Sequence, residues 1–195
     1  MCNQSVIELI DALRKNQTLS DEAFTILYKE RSPETDAYLY ATADAVRKES
    51  YGNKVYLRGL IEISNICKND CFYCGIRCSN SMVTRYRLGL DDLIACCEHG
   101  YALGFRTFVL QGGEDAFFTD EILEKWVSAV HSRFSDCAIT LSLGERTRES
   151  YELLYKAGAE RYLLRHETAT ISHYKKLHPE EMSLAHRLNC LTALK

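Results

Sequence analysis

Residues 58–80, RGLIEISNICKNDCFYCGIRCSN, start as a strand and end as a loop carrying four of the chain's nine cysteines. The β-rich, mostly apolar run spans Val55 to Ser64. Downstream the same rhythm recurs. Asp91 to Leu103 reads as a helix, with Gly100 and Gly104 near its end. Thr107 to Gln111 is a short apolar strand, followed by Gly112-Gly113-Glu114-Asp115. Residues 119–133 place Ile122, Leu123, Trp126, Val127 and Val130 on one helical face. Ala138 to Leu143 is another strand and Thr147 to Ala157 another helix. Arg161 to Arg165 is a fourth strand, and helical sequence runs on from there. Strand, loop and helix repeated about four times predict an α/β chain with a parallel sheet and right-handed crossovers. A doubly wound open sheet and a (β/α)8 barrel both fit, and both keep their chemistry in the loops after strand C-termini.

Upstream, residues 4–50 read as helices. Val6, Leu9, Ile10 and Leu13 recur at helical spacing, Thr18 to Glu22 offers a capped restart, and Ser32-Pro33 breaks and restarts the helix. The expected organisation is an N-terminal helical segment, 1–53, and a (β/α) segment, 54–195. The last stretch, MSLAHRLNCLTALK, reads as a helix still running. A full barrel takes about 250 residues, so the expectation is the first half of one.

With 195 residues, a net charge of −3 and no basic stripe, the chain suggests neither a nucleic-acid partner nor an anionic membrane surface. The N-terminus lacks the apolar core of a secretory signal, and no apolar run approaches the ~18 residues of a membrane span. A cytoplasmic location is expected. Thiols stay reduced there, so clustered cysteines point to metal or redox chemistry rather than disulfides. Cys2, Cys96, Cys97, Cys137 and Cys190 are scattered and are expected to be small buried apolar residues.

The clustered spacing is Cys67-x3-Cys71-x2-Cys74-x3-Cys78. A structural zinc site usually uses two knuckles separated by a longer loop, which the run lacks. Ferredoxin-type loops have x2, x2, x3 spacing and a following proline, both absent. A thioredoxin-like reading of Cys71 to Cys74 has no use for a third nearby thiol. Three thiolates from one short loop suit a [4Fe-4S] cluster with one iron left open. C-x3-C-x-aromatic-C, with Tyr73 in the aromatic position, is similar to the radical S-adenosylmethionine (SAM) signature. On that reading Cys78 is a bystander. Gly112 and Gly113 permit close backbone approach to a ligand. Ser142 either faces a cavity or caps the next turn. Arg165, His166 and Glu167 follow the fourth strand, and Arg187 is a second cation on the later helix. An arginine grips a carboxylate, and a glutamate accepts from hydroxyls or an ammonium. His99, His131, His173, His178 and His186 are read as surface or packing residues with no metal role.

Together, RGLIEISNICKNDCFYCGIRCSN, YRLGLDDLI, GYALGFRTFVLQGGED, AITLSLGE and RYLLRHETA resemble the radical SAM maturases of [FeFe]-hydrogenase, the HydE family, which is close to biotin synthase and methylornithine synthase. The resemblance implies a (β/α)8 barrel of TIM type, represented here by about its first half. It implies Cys67, Cys71 and Cys74 as cluster ligands. SAM contacts are implied at Tyr73, Gly112, Gly113, Glu114, Arg165, Glu167 and Arg187, with Ser142 facing the interior. The implied partners are a small organometallic substrate, the hydrogenase maturation proteins, and a reductant such as ferredoxin or flavodoxin. Cys78 departs from the family pattern, which has a basic residue there. Two alternatives remain open: a biotin synthase-like or methylornithine synthase-like radical enzyme, and an inactive metal-binding remnant.

Overall fold

The computed structural model describes residues 4–195, so Cys2 lies outside the described residues. The chain divides into two compact units, Met1–Tyr56 and Leu57–Lys195.

The first unit is three helices: α1 (Gln4–Asn16), α2 (Asp21–Lys29) and α3 (Pro33–Tyr51). Val6, Ile10 and Leu27 form its small core, with Leu9, Leu13, Leu19 and Leu39 packed around them. The breaks follow the sequence signals. Ser20 caps α2 by accepting from Ala23 N–H, and Ser32 and Thr35 form a reciprocal capping box that starts α3 with Pro33 in its first turn.

The second unit runs β1 (Gly59–Ser64), α4 (Leu90–Ala102), β2 (Thr107–Gly112), α5 (Asp120–Arg133), β3 (Ala138–Ser142), α6 (Arg148–Lys156), β4 (Arg161–Tyr162), α7 (Ile171–Leu177) and α8 (Leu184–Ala193). All strand pairs are parallel, in the order β1-β2-β3-β4. That order decides between the two architectures the sequence left open. A doubly wound sheet reverses its strand order at a switch point, whereas a barrel adds each strand beside the last. The chain is a partial (β/α) barrel.

On one face of the sheet Ile61, Ile63, Phe108, Leu110, Ile139 and Leu141 pack with Leu93, Leu123, Trp126, Val127, Val130 and Leu154 from the helices. Burying each such side chain contributes about 1.5–3 kcal/mol, so this layer fixes where the strands end. On the other face Glu62, Gln111 and Ser142 stand in register across three strands, and Gln111 Nε2 donates to Glu62 Oε1 at 3.0 Å.

Three expectations need correction. The first strand starts at Gly59 rather than Val55, because Val55, Tyr56 and Leu57 pair with no strand and are exposed. The fourth strand pairs only at Arg161 and Tyr162. Leu163 N–H still reaches Leu141 O at 2.8 Å, after which the chain leaves the ladder. Leu164 is buried instead against Tyr151 and Cys190. Cys96 is exposed, whereas Cys97, Cys137 and Cys190 are buried as expected. Cys97 shares the inner face of α4 with Leu93 and Gly100, and Cys96 sits one residue, about 100°, off that face. No helix among the described residues is long and apolar enough to cross a membrane.

Candidate active site

The loops after β1, β2, β3 and β4 meet around a cavity of about 330 Å³. Cys67, Cys71, Cys74 and Tyr73 of the cysteine loop line it together with Gly112, Gly113, Glu114, Ser142, Arg165, Glu167 and Arg187. Every site residue expected from the sequence reaches this one cavity. Cys78 is exposed and does not line it.

The cysteine loop is irregular, so its carbonyls need donors from outside. Arg85 supplies them. Its Nη1 donates to Asn65 O at 2.6 Å and Ile76 O at 2.8 Å, and its Nη2 to Arg77 O at 2.7 Å and Asn80 O at 3.1 Å. Asn65 ties the returning segment to the end of β1: its Nδ2 donates to Thr84 O, and its Oδ1 accepts from Tyr86 N–H, both at 2.8 Å. Arg87 then forks onto Asp115 at 2.6 and 2.9 Å. Asp115 also accepts from Ser64 Oγ at 2.8 Å and Phe117 N–H at 3.1 Å. Burial works to raise the Asp115 pKa, but Arg87, Phe117 N–H and Ser64 outweigh it and hold the carboxyl below its ordinary value.

The glycine loop lies directly against the cysteine loop. A Cβ on Gly113 would stand 2.3 Å from Ile66 O and 2.6 Å from Cys67 Cβ. Lys68 N–H donates to Glu114 O at 3.0 Å across this contact. Gly144 has φ +80°, and a Cβ there would fall 1.9 Å from Glu114 Cγ, so only glycine fits. Glu114 Oε1 accepts from Glu145 N–H at 3.0 Å, and Glu114 Oε2 pairs with Lys68 Nζ at 3.3 Å.

Arg187 is buried between carboxylates. Its Nε donates to Glu145 Oε1 at 2.6 Å, Glu114 Oε1 lies 4.0 Å from its Nη2, and its Nη1 donates to Arg165 O. Burial works to lower its pKa, and the Glu145 hydrogen bond together with the charges of Glu145, Tyr174 and Glu114 outweighs it. Glu167 is exposed and holds a left-handed backbone, φ 61°, uncommon for a residue with a side chain. Burial pushes the Tyr73 phenol up, and the Glu167 carboxylate adds to the effect.

Burial also pushes the Cys71 thiol up, to about 11, with further contributions from Cys67 and Cys74 and an opposing one from Arg187. Cys67 is raised as well, chiefly by burial. The three sulfurs therefore feel one another, and a cation is what would hold them as thiolates together. No three His, Cys, Asp or Glu side chains among the described residues converge as ligands of one metal ion. Tetrahedral thiolates around a single zinc would stand roughly 3.8 Å apart. A cluster needs no such convergence, because each thiolate takes its own iron. The donor set, three soft sulfurs from one loop beside glycine backbone, fits that group.

Sequence reasoning missed Glu145, Arg85, Arg87 and Asp115 as parts of this site. The alternation in Arg85-Tyr86-Arg87 and the acid after Gly112-Gly113-Glu114 were the available signals.

The [FeFe] hydrogenase maturase subunit HydE of Thermotoga maritima is 41% identical over 157 residues, which are 80% of this chain and 44% of that protein. This chain is a HydE-like radical SAM protein. Biotin synthase of Staphylococcus epidermidis is 32% identical over 158 residues, 77% of this chain and 49% of that protein. The crystal structure of methylornithine synthase (PylB) superposes with a TM-score of 0.81 at 28% identity, covering 95% of this chain and 55% of that one. No family model matches the chain. The chain spans about half the length of the curated relatives it matches. Radical SAM proteins as a class use a [4Fe-4S] cluster and SAM, and the thiol-lined cavity is where this chain has the donors for them.

Proposed function

We propose that the chain belongs to a radical SAM enzyme that cleaves SAM reductively in maturation of the [FeFe]-hydrogenase active site. The observation that supports this best is the convergence of three loop thiols, the Gly112-Gly113 backbone and the buried Arg187 on one cavity. Cys67, Cys71 and Cys74 would hold the cluster. When bound, the cluster supplies the electron that splits the sulfonium C–S bond of SAM into methionine and a 5′-deoxyadenosyl radical.

The chain's own residues bind and orient. The glycine backbone leaves room for the amino group of SAM, and the carboxylates beside it favour an ammonium. Arg165 and Arg187 offer guanidinium groups for the carboxylate of SAM. Glu167, in contact with Tyr73, is placed to accept from ribose hydroxyls. Glu114 and Glu145 hold Arg187 in place, so its orientation is set before ligand arrives. The higher identity to HydE than to biotin synthase favours an organometallic substrate of hydrogenase maturation. A low-potential ferredoxin or flavodoxin would then be the electron donor.

The test is anaerobic reconstitution with iron and sulfide, followed by dithionite and SAM. Release of 5′-deoxyadenosine supports the enzyme. A stoichiometric zinc ion with no cleavage would make the chain a metal-binding module instead.

A further inference from the structure

The Cys71 Sγ lies 3.6 Å from the Sδ of Met182, which stands 111 residues further along the chain. Both residues are half-buried, so the two sulfurs meet where the cysteine loop borders solvent. No sequence motif marks Met182, and it faces none of the charged groups that surround Arg187.

The turn that carries Met182 is fastened to the cysteine loop. Met182 N–H donates to Pro179 O at 3.1 Å, and Leu177 O accepts from Phe72 N–H at 2.9 Å. His178 is buried, stacks on Tyr174 with centroids 3.9 Å apart, and meets the Tyr73 ring edge-on at 5.5 Å. Phe72 and Tyr73, the two residues after Cys71, therefore bind the same turn that presents Met182. Directly after it, Ser183 caps α8 by accepting from His186 N–H. The thioether is held against the thiol from both ends of its segment.

A thioether has no proton to donate and is only a weak acceptor. When Cys71 ligates a metal its own proton leaves, and what remains of the contact is dispersion and the exclusion of water. Water or an amide in that place would donate to the sulfur and favour the more negative, reduced state. Hydrogen bonds to ligating sulfurs and solvent exposure are among the factors that set a cluster's potential. We propose that Met182 is a positioning residue that covers the Cys71 ligand, withholding water from its sulfur and keeping the reduction potential low. The inference rests on the cluster assignment of the preceding subsection.

Three variants separate cover from polarity. Met182→Leu keeps an apolar side chain of similar volume. Met182→Gln keeps the length and adds an amide donor. Met182→Ala opens the site. After anaerobic reconstitution, the midpoint potential is followed by the electron paramagnetic resonance of the reduced state. Met182→Leu is expected at the wild-type value, and Met182→Gln and Met182→Ala at more positive values. An iron chelator should bleach the visible absorption of Met182→Ala several-fold faster than that of the wild type. Wild-type potentials in both Met182→Gln and Met182→Ala overturn this inference alone, as does a Met182→Leu variant shifted as far as they are. Failure of the wild type to take up a cluster overturns the cluster assignment and this inference with it.

Discussion

Gly113→Ala isolates the contact between the two loops that build the cavity. The new methyl would meet Ile66 O at 2.3 Å, Cys67 Cβ at 2.6 Å and the Ile66 carbonyl carbon at 2.9 Å. The obstacle is main chain, so no rotamer change relieves it, and the loops must part by about 1 Å to reach ordinary contact. Two bonds cross or border that seam: Lys68 N–H to Glu114 O at 3.0 Å and Gly113 N–H to Ser64 O at 3.4 Å. Overpacking of this kind costs about 1–3 kcal/mol. For a chain of this size that lowers the melting temperature by about 2–12 °C. Cys67 moves with the seam, so iron uptake should fall, and SAM cleavage should drop by about 10²-fold, as for a catalytic group displaced by ~1 Å. Differential scanning calorimetry of the metal-free protein and iron analysis after reconstitution read both effects. A variant that melts with the wild type and takes up the same iron would show that the loops do not touch as described.

Arg85→Ala removes four donors to loop carbonyls and should cost about 2–4 kcal/mol, with loss of iron uptake. Arg85→Lys should recover only part, since an ammonium cannot reproduce the planar fork. Urea unfolding of both variants checks the order. Asp115→Asn should cost about 1–2 kcal/mol at neutral pH. The folded Asp115 pKa is depressed, so its contribution is full above the unfolded value of about 3.9 and fades as pH falls through the lower folded value. The gap between the wild type and Asp115→Asn in urea midpoints should therefore close below about pH 4. Cys78→Ala should leave iron content unchanged, whereas Cys67→Ala should abolish cluster formation, as visible absorption of the reconstituted proteins will show.

The helices and most strands were legible because their apolar residues repeat at 3.6 or 2 residues, and because Ser20, Ser32 and Pro33 announce their own starts. The overreach at Val55 and at Leu163-Leu164 has one cause. Apolar residues mark burial or β preference, but only a neighbouring strand makes a ladder, and Leu164 finds its burial against Tyr151 and Cys190. Cys96 and Cys97 differ only in helical phase, which composition does not carry. At the site, the thiol spacing, the paired glycines and the charged residues after β4 were readable because each motif is local. Arg85, Asp115 and Glu145 act across sequence separations of 20, 28 and 42 residues. Their partners exist only once the loops have folded against one another.

The returning segment 84–88 is pinned to the end of β1 by the antiparallel bridge between Ser64 and Arg87, by Leu88 N–H to Ile63 O, and by the Asn65 side chain. Side chains alternate along extended backbone, so sliding this segment by one residue would present Tyr86 where the guanidinium groups now reach. The number of residues between Cys78 and Arg85 thus works as a ruler. Natural variants should exchange side chains freely at 81–83 yet conserve the count, and a one-residue insertion there should disarm both loops at once while leaving the helices intact.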